Sequence, residues 1–379
     1  MDRDGDLQVV LCAPGFPAST DDHDKPFLYD HATALVSAGL NVRVVCPASP
    51  GLPAHHTVGD VEVFRVRYAP RRIETLAATG AMYREARGLK ALLVAPMIIS
   101  LTCAMIRQMR SKKAVAYGHW WIPGGVVAVV AARCTRQPSV VHLHGSDAAI
   151  AQNRVLRVIA RLVLRYADVR LGVSESLASW GESVSQREVK VLTMPLDEER
   201  LPAPSPVPED GFVLGVGRLV PEKGFDVLIE AVGLIGYELR PPVTIVGVGP
   251  ERDLLLDRAR RLGVDLHLPG AVSPREMGDW YRRARIVAVP SRREGFGLVG
   301  AEASAAARAV VATKVGGLPD FIEHGVSGLL VEPNDPAAFA KALTAIDPEW
   351  GSRGPSRVAS LGTAPHGAYV RRICEDLLN

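Results

Sequence analysis

Residues 290–303 are Pro-Ser-Arg-Arg-Glu-Gly-Phe-Gly-Leu-Val-Gly-Ala-Glu-Ala, and they give the clearest indication of the fold. The apolar run Ile286–Val289 before it is typical of a buried parallel strand, and a helix pattern begins near Leu298. Gly295 and Gly297 lie in the turn between them, where backbone N–H groups can approach a ligand closely. A strand, a glycine turn and a helix N-terminus in this order predict a site for an anion such as phosphate.

Two carboxylates stand eight positions apart in the same stretch. Glu294 lies in the predicted turn, and Glu302 lies about one turn into the helix. Each can accept hydrogen bonds from a separate group of hydroxyls. For either residue alone, the alternative is an acidic side chain that simply stabilises the positive end of the helix.

A second strand-loop-helix stretch occupies residues 215–225, Gly-Val-Gly-Arg-Leu-Val-Pro-Glu-Lys-Gly-Phe. It presents Arg218 and Lys223 on the loop, where a diphosphate would lie, although isolated surface cations are the alternative. Neither this stretch nor Gly247-Val-Gly249 completes G-x-G-x-x-G. The dinucleotide fingerprint is therefore absent.

Short apolar runs alternate with longer amphipathic stretches along the chain, which predicts parallel strands joined by helices. The predicted strands are Leu7–Ala13, Val42–Cys46, Val61–Val66, Ala114–Tyr117, Ser139–Leu143, Val169–Val173, Val189–Leu192, Phe212–Val216, Val243–Val246, Leu266–Leu268, Ile286–Val289, Val310–Thr313 and Leu329–Val331. Helices are predicted at Leu28–Ser37 and Val155–Tyr166, among others.

A proline-rich segment, Leu201-Pro-Ala-Pro-Ser-Pro-Val-Pro208, interrupts the pattern and predicts a linker. We therefore expect an α/β protein with two tandem Rossmann-like, doubly wound domains. The predicted boundaries are 1–200, a linker at 201–210, 211–364 and a C-terminal helix at 365–379. Because such sheets bind ligands at the carboxyl ends of their strands, we expect the domains to face each other across a cleft that holds the active site.

Composition limits the other possibilities. A net charge of +3 without a long basic run argues against nucleic-acid binding. Five scattered cysteines, without a C-x-x-C pair, predict reduced thiols and a cytoplasmic protein without a cysteine zinc site. The N-terminus carries Asp2, Asp4 and Asp6, unlike a signal peptide.

The most apolar segment, Ala91–Ile106, is followed by four basic residues, Arg107, Arg110, Lys112 and Lys113. A buried helix packed on a sheet is the favoured interpretation. The alternative is peripheral contact with the inner face of a membrane through Ala91–Lys113.

The second half resembles the family-4 retaining glycosyltransferases of GT-B architecture. The resemblance covers nearly all of Phe212–Asp335. It rests on an E-x7-E motif (Glu294, Glu302), an R-x4-K pair (Arg218, Lys223) and the strings Val315-Gly-Gly-Leu-Pro319, Gly325-Val-Ser-Gly-Leu-Leu-Val331 and Gly270-Ala-Val-Ser-Pro274.

The resemblance implies a role for each matching residue. Arg218 and Lys223 would bind the donor diphosphate, Glu302 the ribose and Glu294 the transferred sugar. The backbone of the turn and helix start would line sugar and phosphate: Gly295, Phe296, Gly297, Leu298 and Val299. Pro269–Val272 would lie near the base. The sequence departs from the family at Ala307-Arg308-Ala309, where a Gly-x-Pro is usual, and we expect that turn to be structural.

The first half matches the family more weakly, through His144-Gly-Ser-Asp147 after a predicted strand. The resemblance implies a catalytic His144 near the C6 side of the sugar, and Asp147 is a candidate acceptor ligand. Gly15 follows the first strand, where the family places a phosphate loop, but the usual second glycine is missing.

Further acceptor candidates are aromatic or acidic. Trp120 and Trp121 follow a strand, and indoles commonly stack on sugars, although packing between helix and sheet is an equal alternative. Asp22 and His23 lie in the acidic segment Asp21-Asp-His-Asp24, the one segment of the first half that could host a metal.

The resemblance implies a hexosyltransferase that moves a sugar from a nucleoside diphosphate donor, with UDP favoured, to an acceptor hydroxyl with retention. We expect no metal and no cofactor, because cations and N–H groups neutralise the diphosphate. A UDP-sugar 2-epimerase and a non-catalytic sugar-nucleotide-binding protein are the alternatives. The acceptor stays open between a membrane-proximal or lipid-linked glycan and a small natural product.

Overall fold

The computed structural model describes residues 7–74, 76, 88–109, 111 and 113–379. These residues form two compact units. The first takes in the chain up to Pro195 together with Thr363–Asn379, and the second is Leu196–Gly362. Asp2, Asp4, Asp6, Arg110 and Lys112, which entered the predictions above, lie outside the described residues.

The first unit contains an eight-stranded sheet in the order β3-β4-β2-β1-β5-β6-β7-β8, and only the β3–β4 pair is antiparallel. Side chains of β1 alternate between two core clusters, so this sheet is buried on both faces. The strands are β1 (Gln8–Cys12), β2 (Asn41–Pro47), β3 (His55–Val58), β4 (Val61–Val66), β5 (Ala114–His119), β6 (Ser139–Leu143), β7 (Val169–Gly172) and β8 (Lys190–Val191).

Helices cover both faces of this sheet. The helices Pro26–Ser37 and Thr363–Leu378 pack together on one face. The other face carries a layer of four neighbouring helices, Val94–Gln108, Val126–Thr135, Arg154–Tyr166 and Glu175–Ser185. A short helix, Asp147–Ile150, follows β6.

The C-terminal helix, predicted at 365–379, begins at Thr363 and belongs to the first unit. Its Val370 and Ile373 lie in the same core cluster as Leu28 and Leu35. The chain therefore returns to its first unit after completing the second.

The second unit is a six-stranded parallel sheet in the order β11-β10-β9-β12-β13-β14. Counted within the unit, this is the 3-2-1-4-5-6 order of a Rossmann sheet, and its topological switch point lies between β9 and β12. The strands are β9 (Phe212–Val216), β10 (Val243–Val246), β11 (Leu266–Gly270), β12 (Ala284–Val289), β13 (Ala309–Thr313) and β14 (Gly328–Val331). The α-helices are Phe225–Leu234, Arg252–Leu262, Met277–Arg283, Leu298–Ala305, Leu318–Phe321, Pro336–Ala345 and Gly354–Val358.

The proline-rich segment was predicted to be part of a linker at 201–210. In the structure the units divide after Pro195, and the segment lies within the second unit. Arg308, which has no exposed surface, holds it in place. Its guanidinium donates hydrogen bonds to the Ser205 carbonyl at 2.9 Å, the Ser205 hydroxyl at 2.7 Å and the Tyr281 carbonyl at 2.9 Å. The unusual Ala307-Arg308-Ala309 turn thus has a structural role.

Among the described residues, the stretch Lys90–Gln108 is the one helix long and apolar enough, by length and composition alone, to cross a membrane. Met97, Leu101 and Met105 are fully buried against the neighbouring core cluster, so one side of the helix serves the fold. Leu92 and Ile99 are exposed.

Candidate active site

Two loops meet at the switch point of the second unit, one after β9 and the other after β12. Gly224 has φ 65°, and a Cβ atom there would lie 2.1 Å from the Pro290 carbonyl oxygen. The backbone N–H of Arg292 donates to the Glu222 carbonyl at 2.8 Å. The loops that carry Lys223 and Glu294 are therefore packed backbone against backbone, which explains the glycine.

Lys223 and Glu294 form an ion pair across these loops. The Lys223 Nζ lies 2.5 Å from Glu294 Oε1, and the Ser291 hydroxyl donates to the same oxygen at 2.7 Å. The side chains retain 23% and 11% of their exposure, so both can be reached by a ligand. The pair presents a cation and a carboxylate side by side, which suits a phosphate next to a hydroxyl.

The arginines nearby have different surroundings. The Arg292 guanidinium holds Asp226 through two hydrogen bonds of 2.8 and 2.7 Å. Burial raises the pKa of Asp226, but these bonds and the charge of Arg292 outweigh it and hold that pKa below its ordinary value. Arg218 is exposed, and among the described residues its guanidinium makes no hydrogen bond or ion pair. Arg218 is thus available to a ligand, whereas Arg292 serves the fold.

The turn after β12 ends at a helix N-terminus, as predicted. Gly297, at φ 94°, precedes the Leu298–Ala305 helix, and a Cβ atom there would lie 2.6 Å from Leu318 Cδ2. The N–H groups of Leu298 and Val299 have no acceptor within the helix because of their position in its first turn. Phe296 is buried, with its ring centroid 5.4 Å from that of Phe321. The Gly295 carbonyl accepts from Gly317 N–H at 3.0 Å.

Glu302 has a partner that the sequence did not reveal. The hydroxyl of Tyr281, which has no exposed surface, donates to Glu302 Oε2 at 2.5 Å. Burial raises the pKa of Glu302, while the Tyr281 hydrogen bond and the charge of Arg200 work against that rise. Tyr281 lies on another helix, and a tyrosine in a short amphipathic stretch gives no signal of such a partner.

In the first unit, His144 lies at the end of β6 and is 5% exposed. Its Nε2 lies 3.0 Å from Nδ1 of His119, and its ring stacks on Trp120 at a centroid distance of 4.2 Å. Trp120 is therefore a packing partner of His144 and is itself 9% exposed.

Two of the predicted acceptor ligands lie in the core. Asp147 and Trp121 have no exposed surface. The Asp147 carboxylate accepts backbone N–H groups from His144 at 2.7 Å and from Trp121 at 3.2 Å. The expectation that these two side chains contact an acceptor is corrected accordingly, because their polar atoms already join the loops after β5 and β6.

The remaining candidates follow β1, the neighbour of β5 at the switch point of this sheet. Gly15 is buried. The Asp22 carboxylate closes its own turn by accepting N–H groups from Ala18 at 2.7 Å and from Asp24 at 2.9 Å. His23 is exposed.

Comparisons with known proteins now decide the family. Residues 26–197 match the family described as "Glycosyl transferase 4-like domain", and residues 211–346 match "Glycosyl transferases group 1". The D-inositol 3-phosphate glycosyltransferase 1 of Catenulispora acidiphila is 34% identical over 67% of this chain and 68% of its own length. Sucrose-phosphate synthase from Thermosynechococcus elongatus superposes with a TM-score of 0.81 at 19% identity, covering 98% of this chain and 99% of the other. The chain belongs to the GT-B glycosyltransferases.

The extent of the match differs among other relatives of this glycosyltransferase. The chain spans 40% of the D-inositol 3-phosphate glycosyltransferase of Thermobispora bispora, which is 36% identical over 43% of this chain. HepE of Anabaena, solved in complex with UDP, shares the fold with a TM-score of 0.74 at 19% identity, and the match covers 98% of this chain and 100% of HepE. The predicted two-domain GT-B fold is thus confirmed.

His144 of this glycosyltransferase belongs to a buried cluster of five histidines, of which sequence reasoning noted only one. The cluster is His31, His119, His142, His144 and His366. Burial lowers the pKa of every member, for His142 to about 4 and for His366 to about 3. These imidazoles are therefore neutral at neutral pH. The spacing of His142 and His144 on one strand face was the signal available.

Nitrogens of His119, His142 and His144 lie within 4.8 Å of one another, a grouping that a metal ion can use. However, His142 is already engaged on both sides, with Nδ1 2.8 Å from the Tyr117 hydroxyl and Nε2 2.7 Å from the Leu192 carbonyl. A metal would have to displace one of these bonds. The arrangement suits a rigid support for His144 better than a metal centre.

Proposed function

We propose that this glycosyltransferase transfers a hexose-type sugar from a nucleoside diphosphate sugar, with UDP favoured, to an acceptor hydroxyl with retention of configuration. One observation carries the proposal: the Lys223–Glu294 ion pair lies at the switch point, beside a helix N-terminus. That HepE has been solved with UDP and with UDP-glucose supports this choice of donor.

The proposed chemistry uses charge at the diphosphate. Arg218, Lys223 and the N–H groups of Leu298 and Val299 bind it and stabilise the negative charge that develops as the bond between sugar and phosphate breaks. The leaving phosphate oxygen takes the proton of the acceptor hydroxyl on the same face of the sugar. The acceptor oxygen then forms the new bond to the anomeric carbon, and no protein nucleophile is required.

Carboxylates and an imidazole orient the donor in this proposal. Glu294 accepts hydrogen bonds from hydroxyls of the transferred sugar, and Glu302 accepts those of the ribose. His144 contacts the sugar near C6 as a neutral imidazole. Gly15, Asp22 and His23 stay assigned to the phosphate or acceptor side as proposals.

For the acceptor, we favour a membrane-proximal or lipid-linked glycan, with a small natural product as the second class. The names of two relatives add a third group to test, phosphorylated polyols and sugars, because they are a D-inositol 3-phosphate glycosyltransferase and a sucrose-phosphate synthase. A cytoplasmic protein with peripheral contact to the inner membrane face is part of the same proposal.

The decisive experiment is nucleotide release from a panel of donors, with and without each acceptor class. A transferase releases nucleotide faster when its acceptor is added, and NMR of the product gives the anomeric configuration. Interconversion of nucleotide sugars without a dependence on acceptor would instead indicate the 2-epimerase. Donor binding without turnover, across the whole panel, would indicate a non-catalytic binder. An inverted product would overturn retention.

We also propose that transfer needs no divalent metal, because cations and N–H donors neutralise the diphosphate. Asp22, in the one acidic segment considered for a metal, already accepts two backbone N–H groups. Activity is expected to survive exhaustive EDTA treatment. Complete loss that Mg²⁺ or Mn²⁺ restores would overturn this model of the phosphate site and direct attention to Asp22 and Asp24.

A further inference from the structure

The Arg154–Tyr166 helix exposes two stripes of different chemistry. The arginine stripe consists of Arg154, Arg157, Arg161 and Arg165, and all four are exposed. The apolar stripe consists of Val155, Val158, Leu162 and Tyr166, which are 68%, 58%, 47% and 51% exposed. Steps of three and four residues place the members of each stripe one above another. The stripes lie side by side, about 100° apart around the helix, and each is about 17 Å long.

Only the opposite face of this helix packs against the core of the first unit. Ala160, Val163 and Leu164 are buried in the core of the first unit, and Leu156 and Ile159 pack partly against it. Four large apolar side chains on the outer face gain nothing from that core. An exposed apolar stripe beside a basic one is the pattern of a helix that lies in the interface of a membrane.

The neighbouring helix extends the same surface. In the Val126–Thr135 helix, Val130 is 43% exposed, and Arg133 is also exposed. The Arg133 guanidinium lies 4.5 Å from the centroid of the Tyr166 ring, so it lies at one end of the apolar stripe. Arg136, just beyond this helix, is exposed as well.

Three helices of this layer carry charge of one sign only. The helices Val94–Gln108, Val126–Thr135 and Arg154–Tyr166 contain no aspartate or glutamate. Residues 88–166 contain eleven lysines and arginines but only one acidic residue, Asp147, which is buried. Because the whole chain carries only +3, the positive charge is concentrated in this segment.

We propose that the arginine and apolar stripes dock this protein on an anionic membrane. Val155, Val158, Leu162 and Tyr166 enter the boundary between headgroups and acyl chains, while the arginines bind lipid phosphates. The absence of acidic side chains on the three helices selects a negatively charged partner, and the exposed aliphatic side chains select one with an apolar interior. The proposal rests on the peripheral membrane contact proposed above and assigns it to two stripes that lie outside Ala91–Lys113; it is independent of the proposed donor chemistry.

The test is co-sedimentation of the full chain with vesicles of phosphatidylcholine and phosphatidylglycerol, compared with vesicles of phosphatidylcholine alone. Binding is expected only with the anionic lipid, and it should weaken as salt is raised. The double variant Arg157→Gln with Arg161→Gln should lower the partition coefficient about 25-fold, since each basic residue near an anionic surface contributes about fivefold. The matched control is Arg372→Gln, an exposed arginine on the helix that covers the opposite face of the sheet.

A second variant tests the apolar stripe without changing charge. Val158→Ser with Leu162→Ser should weaken vesicle binding but leave the thermal unfolding midpoint unchanged, because both side chains are exposed. Equal binding to neutral vesicles, no binding to anionic ones, or wild-type binding by the double arginine variant would each overturn the proposal. A dimer that forms without any binding to vesicles and is lost in the serine variant would also overturn the proposal. None of these readouts depends on sugar transfer.

Discussion

Arg218 and Lys223 lie on the same loop, but among the described residues only the Lys223 side chain has a partner, Glu294, and this difference can be measured. Replacing either with alanine should weaken UDP binding by about 1.5–3 kcal/mol, because a charge-assisted hydrogen bond to phosphate is lost. Only Lys223→Ala also frees Glu294 from its ion pair, so only this variant should also change contacts to the transferred sugar. Calorimetric titrations with UDP and with UDP-glucose separate the two effects.

Arg293→Ala is the control for this pair, since Arg293 is exposed in the loop after β12 and its guanidinium lies 3.4 Å from Glu222. Its removal should leave UDP affinity unchanged. If Arg218→Ala and Lys223→Ala both bind UDP as tightly as the wild type, the diphosphate lies elsewhere.

The proposed contact between Glu302 and the ribose predicts that donor binding depends on pH. Burial raises its pKa in the folded state, so stability from this group is greatest at low pH and falls as pH rises from the unfolded pKa through the folded one. Donor affinity is expected to show the opposite trend, because in the proposed site the ribose hydroxyls need the ionised carboxylate as an acceptor. Tyr281→Phe removes a hydrogen bond that lowers this pKa, and the midpoint of the affinity profile should therefore move to higher pH.

The probe for this profile is UDP-glucose, because the terminal phosphate of UDP itself titrates, with a pKa of about 6 as in phosphate monoesters. Glu302→Gln should flatten the profile. A midpoint that stays in place or moves down in Tyr281→Phe would show that the ribose does not depend on this carboxylate.

At the scale of residues, the sequence identified the residues of two proposed donor motifs, but it did not predict the side chains that they contact. The E-x7-E and R-x4-K spacings are local, so both motifs could be recognised in the chain. The Lys223–Glu294 and Tyr281–Glu302 contacts join different elements, and nothing in one stretch announces the other. The prediction that Trp121 and Asp147 contact the acceptor has the same limit. Tryptophan and aspartate are suitable residue types for a ligand site, but the burial of these two side chains depends on the neighbouring strand.

At the scale of the loops, two glycines with similar φ angles allow the cost of a strained backbone to be distinguished from the cost of steric crowding. Gly224 has φ 65° and Gly325 has φ 77°. A Cβ at Gly325 would meet no atom within 4 Å, so Gly325→Ala should cost only the left-handed conformation, about 1–2 kcal/mol. Gly224→Ala must also push back the Pro290 carbonyl, and it should lose more stability as well as donor affinity.

Urea unfolding and UDP titration of both variants test this difference. Equal losses of stability, with unchanged donor affinity, would show that the packing of the two loops does not position the site.

The elements themselves were largely predictable, because buried parallel strands are continuous apolar runs. Val61–Val66, Ser139–Leu143, Phe212–Val216 and Val243–Val246 have the predicted bounds. The strand His55–Val58 was missed because it is an exposed edge with two histidines, which lacks that apolar pattern. The proline-rich segment was placed correctly as irregular chain, but the buried Arg308 that holds it within the second unit lies about one hundred positions away.

At the scale of the whole molecule, the C-terminal helix links the stability of the first unit to the end of the described chain. Ile373 is 7% exposed in the core of the first unit, and Ile346 is 6% exposed in that of the second. Replacing either with alanine should cost about 2–5 kcal/mol. Hydrogen exchange should accelerate in Pro26–Ser37 for Ile373→Ala and in Phe225–Leu234 for Ile346→Ala. Faster hydrogen exchange of Phe225–Leu234 in the single variant Ile373→Ala would contradict the division of the chain into two units.

The return of the chain to its first unit also has a consequence for biosynthesis. The Thr363–Leu378 helix leaves the ribosome only after Leu196–Gly362 has been made, which takes roughly ten to thirty seconds at bacterial or eukaryotic rates. During that interval the side chains of Pro26–Ser37 that this helix covers are without their partner. The first unit can therefore complete its fold only after the second unit has been synthesised. In that interval we expect chaperones to bind the incomplete first unit.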